Sequence, residues 1–224
     1  MHGNRRFHGE VILTMRTNGS VQVSGHDGLT TTTQLLESLK DTANARAWGD
    51  FVERYKPILL AVVLKMGLKA EDASDVVQQT FLEFVRDYRA QRYDRTKGKL
   101  RSWLIGIAKH RALDVVRADA RHRVSRGESA IIELPDDASL TKHWDEERDK
   151  AIAAEAMSIL RNESQMSAVN LRIFELAVLN KSPAATVAQE CGVTVQQVYL
   201  VTNRGKAQMR KIIERLSAAY EDGP

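Results

Sequence analysis

The eight residues CGVTVQQV, at positions 191–198, constrain this chain more than any other stretch. Thr194 and Gln197 stand at the T-x-x-Q spacing of a capping box, in which each side chain serves the other residue's backbone N–H at the start of a helix. Val193 and Val198 flank the box at the spacing of a hydrophobic staple. Gly192, just upstream, permits a sharp turn. Before it, Ser182 can cap a helix whose first residue is Pro183, the favoured place for proline, and which ends near Cys191. Local chemistry between Ser182 and Ile213 therefore specifies a short helix, a tight turn and a second helix, the helix-turn-helix signature.

The second of these helices carries Val198, Thr202, Gly205, Met209, Ile212 and Leu216 on one side. Thr202 and Gly205 are small, so the preceding helix can approach closely. The outer side carries Gln196, Gln197, Tyr199, Asn203, Arg204, Lys206 and Arg210. Amides, hydroxyls and guanidinium groups suit base edges and phosphates in a major groove. The plainer alternative is a helical hairpin with a solvated, charged face.

The rest of the chain is also helical in pattern. Leu35, Leu36 and Leu39 fit a short amphipathic helix, and Trp48, Phe51, Val52 and Tyr55 repeat at helical spacing. Pro57 should start a helix or bend one, and the apolar run after it stops at Gly67. From Ala70 to Tyr88, Val77, Phe81, Phe84, Val85 and Tyr88 share one face. Opposite them runs a polar stripe of Asp75, Gln78, Gln79, Leu82 and Arg86, either a partner-facing surface or an ordinary solvated one. A further helix follows the basic connection RAQRYDRTKGK and reaches about Ala118. Periodicity then lapses from Asp119 to His143, across Gly127 and Pro135, and returns at Trp144 in four segments. The expected fold is all-α. A flexible tail occupies residues 1–31, with a weak hairpin signal at Asn18-Gly19 and a second start at Met15. Two small helical domains at 32–118 and 144–219 are joined by a linker at 119–143.

Bulk properties narrow the function classes. Lys and Arg number 33 against 29 Asp and Glu, a formal net charge of +4 in 224 residues. That mild excess suits a polyanionic partner without proving one. The single cysteine, Cys191, excludes an internal disulfide and a cysteine-rich zinc site, and fits a cytoplasmic setting. No apolar run approaches the roughly 18 residues that span a bilayer, so no membrane role is expected. VILTM near the start is too short for a signal-peptide core. The six histidines have no ligand spacing, and no phosphate-cradling glycine loop or nucleophile motif is present. The chain is therefore expected to be no enzyme and to hold no metal or cofactor.

One segment combines two characters. In KGKLRSWLIGIAKHRALDVVR, residues 97–117, the apolar body of Leu100, Leu104, Ile107, Ala108 and Val115 should hold a helix in its domain, while Lys109, His110 and Arg117 lie on the remaining arc and can meet phosphate. Arg111 sits nearer the apolar side, three residues before Asp114, as a structural ion pair would. Trp103 reads as a core residue, with base stacking as the alternative.

DVVQQTFLEFVRDY, then YDRTKGKLRSWLIGIAKHRALD, then the terminal helix-turn-helix resemble bacterial sigma factors of the extracytoplasmic-function type, which keep two helical domains, sigma-two and sigma-four, on a linker. The resemblance covers about Thr33 to Leu216. It implies a protein that binds core RNA polymerase, directs it to promoters and assists strand opening. Asp75, Gln78, Gln79 and Leu82 match positions that contact the clamp of the largest polymerase subunit, and the second domain would meet the beta flap. Tyr93, Lys97 and Lys99 fall in the loop that captures a flipped base of the minus-10 element, with Lys109 and His110 close by along the next helix. Thr194, Gln196, Gln197, Tyr199, Asn203, Arg204 and Lys206 match the reader of the duplex minus-35 element. The family also admits an anti-sigma partner. Tyr199, Leu200 and Val201 depart from the residues, commonly basic or polar, that relatives carry there, which throws readout onto Gln196, Gln197, Asn203 and Arg204. The rival reading is a stand-alone helix-turn-helix regulator with a helical sensor domain, binding duplex DNA without polymerase.

Overall fold

The computed structural model describes residues 32–41, 44–94, 96–124, 134–162 and 164–220, and every one of its regular elements is helical. The tail, its hairpin signal and residues 125–133 lie outside the described part. Eight α-helices follow in order: α1 (Thr32–Ser38), α2 (Ala45–Lys65), α3 (Ala70–Arg89), α4 (Leu100–Val124), α5 (Asp137–Asn162), α6 (Ala168–Phe174), α7 (Ala184–Cys191) and α8 (Val195–Tyr220), with a π-helical turn at Glu175–Leu179 after α6. None of these helices is long and apolar enough to cross a membrane. The chain divides into two compact units, the first running to Arg148 and the second covering Asp149–Tyr220.

In the first unit α2, α3 and α4 pack on one another, with α1 against α2. Asn44 opens α2 by accepting the Ala47 N–H at 3.0 Å. Pro57 neither starts nor ends that helix; it lies inside it, where it leaves the Glu53 carbonyl without its usual donor. Gly67 closes the turn at φ +90°. The core is aromatic. Phe51 stacks on Phe84 at 5.1 Å, Phe84 on Tyr88 at 5.8 Å, and Phe81 meets Phe51 edge-on at 5.7 Å. In α4 the buried stripe is Leu100, Leu104, Ile105, Ala108 and Ala112. Ile107 and Val115, expected inside, are only half-buried.

Residues 119–143 do not behave as one linker. Residues 119–124 continue α4, and α5 begins at Asp137, seven residues before the periodicity returns in the sequence. Asp136 caps it, accepting the Ser139 N–H at 2.7 Å. Trp144, expected at the head of the second domain, is instead buried in the first unit, stacked on Tyr55 at 6.1 Å. Leu140, one turn earlier, is fully buried.

The second unit has two apolar clusters. Ile152, Ala156, Met157 and Leu160 of α5 join Phe174, Met209 and Leu216 in the first. Ile173, Leu176, Val187, Ala188 and Val198 form the other, with Val193 at its edge. Gly205 of α8 lies directly against the ring of Phe174 at the end of α6. A methyl group placed on it would lie 2.3 Å from Cδ2 of Phe174, a ring that is itself 1% exposed. The small residue thus admits α6 rather than the preceding α7. Gly205→Ala is expected to lower the stability of this unit. Overpacking a filled core costs about 1–3 kcal/mol, against about 1 kcal/mol that alanine gains over glycine inside a helix. Thermal melting checks it, and an unchanged or raised transition would mean that the Phe174 ring yields freely.

Candidate nucleic-acid interface

The turn between α7 and α8 forms as its chemistry requires. Gly192 adopts φ +66°, and its N–H and that of Val193 both return to the Ala188 carbonyl. The capping box closes in both directions: the Thr194 N–H donates to Oε1 of Gln197 at 2.8 Å, and the Gln197 N–H donates to Oγ1 of Thr194 at 3.2 Å. The Thr194 hydroxyl also donates to that same Oε1, at 3.1 Å. Gln197 therefore spends its carbonyl oxygen on the cap and keeps only its NH₂ for an external partner. The upstream start differs from expectation. Pro183 is itself the N-cap of α7, and Ser182 makes no cap with its side chain; its N–H donates at 2.9 Å to the carbonyl of Leu176, within the π turn.

On α8, Val198, Gly205, Met209, Leu216 and Ala219 face inward. Gln196, Gln197, Tyr199, Leu200, Asn203, Arg204, Lys206 and Arg210 are exposed, as is Thr194 just before the helix. The residues assigned to duplex recognition thus share one solvent-facing surface of one helix.

In the first unit the polar stripe of α3 is open. Asp75, Gln78 and Gln79 are exposed, and Leu82 stands 60% exposed beside them. Glu83, half-buried on the same helix, holds Arg111 of α4 at 2.6 Å, while Asp114 lies 3.4 Å from the same guanidinium. Arg111 is thus a structural cation, but its main partner is on the neighbouring helix. The i, i+3 rule sees only partners along one helix, so it found Asp114 and not Glu83.

The basic loop before α4 divides into an anchored part and an exposed part. Tyr93 is 8% exposed; its ring meets Trp103 at 5.4 Å, and its hydroxyl donates to the Gly98 carbonyl at 3.3 Å. Its aromatic face is consumed in the core, so the sequence assignment of Tyr93 to a base does not fit this arrangement. Trp103 is half-buried beside it, with no partner for its indole N–H among the described residues. Lys97 and Lys99 are exposed. Asp94 organises the turn between them and Tyr93. It accepts the Thr96 hydroxyl at 2.7 Å and the Thr96 N–H at 2.9 Å, and these bonds, with Lys97 nearby, hold its carboxyl below the usual range.

Along α4, His110 and Arg117 are exposed. Lys109 is not free: its ammonium meets Asp137 of α5 at 2.6 Å. Two turns of α5 further on, Asp145 takes Arg101 at 2.6 Å. The pair Asp136-Asp137 thus supplies a helix cap and a cation partner. Its sequence signal is PDDAS, an acidic N-terminal cap pattern in a stretch otherwise without periodicity.

Residues 51–122 match the family model described as Sigma-70 region 2. That segment spans α2 from Phe51, all of α3, the basic loop and nearly all of α4. Among solved structures, a chain of "Structure of CnrH in complex with the cytosolic domain of CnrY" is 19% identical, with 80% of this chain and 95% of that chain covered and a TM-score of 0.32. No curated protein matches the chain significantly.

Proposed function

On the premise that residues 51–122 are a sigma-70 region 2, we propose that the chain is a sigma factor of the extracytoplasmic-function type. It binds core RNA polymerase, brings it to promoters and assists strand opening. The region 2 match is the observation that carries this reading. The helix-turn-helix in the second unit supports it, because a promoter-specific factor needs one surface for the enzyme and another for duplex DNA.

Exposure supports a division of labour among these residues. Asp75, Gln78, Gln79 and Leu82 form the polymerase-facing stripe on α3. A leucine at 60% exposure within polar neighbours gains by being covered. Lys97, Lys99 and His110 meet the unpaired minus-10 strand, with Lys109 joining them on exchanging Asp137 for phosphate. Such an exposed pair is worth about 1 kcal/mol or less, so the exchange is easy. Melted strands leave unstacked bases to be held at a cost of a few kcal/mol. The outer face of α8 reads the duplex minus-35 element.

Co-elution with core RNA polymerase tests the reading directly. Wild type should form a stable complex. Gln79→Ala with Leu82→Ala should weaken that complex by about tenfold, the effect of losing one or two contacts at the centre of an interface. Circular dichroism should be unchanged, because both side chains lie off the buried stripe. A chain that binds duplex DNA but never co-elutes with polymerase is instead a stand-alone regulator.

A further inference from the structure

The outer face of α8 is not uniformly polar. Tyr199 is 59% exposed, Leu200 49% and Val195 41%, all within the first two turns. These are the turns that a helix-turn-helix presents to base edges. At 100° per residue, Gln196 and Leu200 straddle the line pointing directly away from the buried side of Val198, Gly205 and Met209, with Asn203 next to Gln196 on the far side from Leu200. Both amides are exposed. Around and beyond them lie Arg204, Lys206, Arg210, Lys211 and Arg215, all exposed, against Glu214, the single acid within α8. An apolar surface intended for a protein partner would not need that cationic border. Duplex DNA complements it, with phosphates for the border and a base edge for the centre.

The major groove offers one apolar feature, the C5-methyl of thymine. On the same A·T pair, adenine N6 and N7 suit the amide of Asn or Gln. Gln197 has committed its carbonyl oxygen to the cap. Gln196 and Asn203 are therefore the amides able to make that two-point contact. We propose that α8 reads A·T pairs, with Leu200 packing on a thymine methyl, Tyr199 covering the neighbouring step, and Gln196 or Asn203 on adenine. The proposal rests on the duplex-reading role given to α8 above and names the chemistry that this role recognises.

The test replaces single methyl groups. Holoenzyme assembled from the full chain and core polymerase first selects its minus-35 sequence from a randomised duplex pool. Each thymine of the selected site is then changed to deoxyuridine in turn. At one or two positions the loss of the methyl should weaken closed-complex binding by about fourfold, the worth of one buried carbon. Leu200→Ala should bind the thymine and uracil duplexes equally at that position, with an unchanged melting temperature. Lys206→Ala should weaken thymine and uracil duplexes alike and flatten the salt dependence by about one phosphate contact. If the chain fails to join core polymerase, the sigma-factor reading falls. The same selection and uracil series with the full chain alone then tests α8 by itself. The proposal is overturned if no thymine shows a methyl effect, if the effect survives in Leu200→Ala, or if neither holoenzyme nor chain selects any duplex. The last result would assign the apolar patch to a protein partner.

Discussion

Trp144→Ala is expected to lower the melting transition of the first unit by about 10–20 °C. The indole is 3% exposed and stacked on Tyr55, so its removal leaves a cavity that the surrounding helices fill only in part. Buried Trp→Ala changes cost about 3–5 kcal/mol, a large share of the 5–15 kcal/mol typical of a whole domain. At a few degrees per kcal/mol for a unit of this size, that gives the expected shift. The second unit should melt as in wild type, because its clusters begin at Ile152. Circular dichroism with limited proteolysis separates the two. Wild type should yield a resistant fragment that includes α5 to about Arg148, and the variant should lose it. An unaltered transition, or a resistant wild-type fragment ending before Asp137, would show that α5 does not belong to the first unit in solution.

The second large effect concerns strand opening. Lys97→Ala with Lys99→Ala should leave polymerase binding and closed-complex formation intact while reducing opening by about a hundredfold. Two lost charge-assisted contacts to the single strand, at about 1.5 kcal/mol each, account for it. Both lysines are exposed, and among the described residues the Lys97 ammonium has only a loose 3.5 Å pair with Asp94, so the packed core does not rest on these side chains. Tyr93 is left in place, because its ring is part of the aromatic core and its loss would unfold the loop. Permanganate reactivity of promoter thymines is the measurement. A template with a pre-melted bubble should recover part of the defect but not all, as the strand contacts remain absent. Normal opening by the double variant would reduce the loop to a solvated basic connection.

What the sequence determined alone is the structure that neighbours in the chain can build. The T-x-x-Q box at Thr194, the turn at Gly192 and the helical face of Val198, Met209 and Leu216 each follow from residues within a few turns of one another. So does the exposed stripe of Asp75, Gln78, Gln79 and Leu82, since α3 needs only its own period to divide inside from outside. Tertiary structure decided everything that depends on a distant residue. Trp144 is an apolar residue at helical spacing whichever unit it joins; only Tyr55, 89 positions earlier, assigns it to the first. Tyr93 has the residue type of a base-stacking aromatic, yet Phe84, Tyr88 and Trp103 enclose it. Lys109 and Arg111 look alike in the sequence, but Asp137 and Glu83, each 28 residues away, give them different tasks. Gly205 is a weak point of helix propensity until the Phe174 ring arrives on it. Capping and periodicity act over one or two turns, whereas burial and charge pairing are settled by whichever surface the folded chain brings alongside.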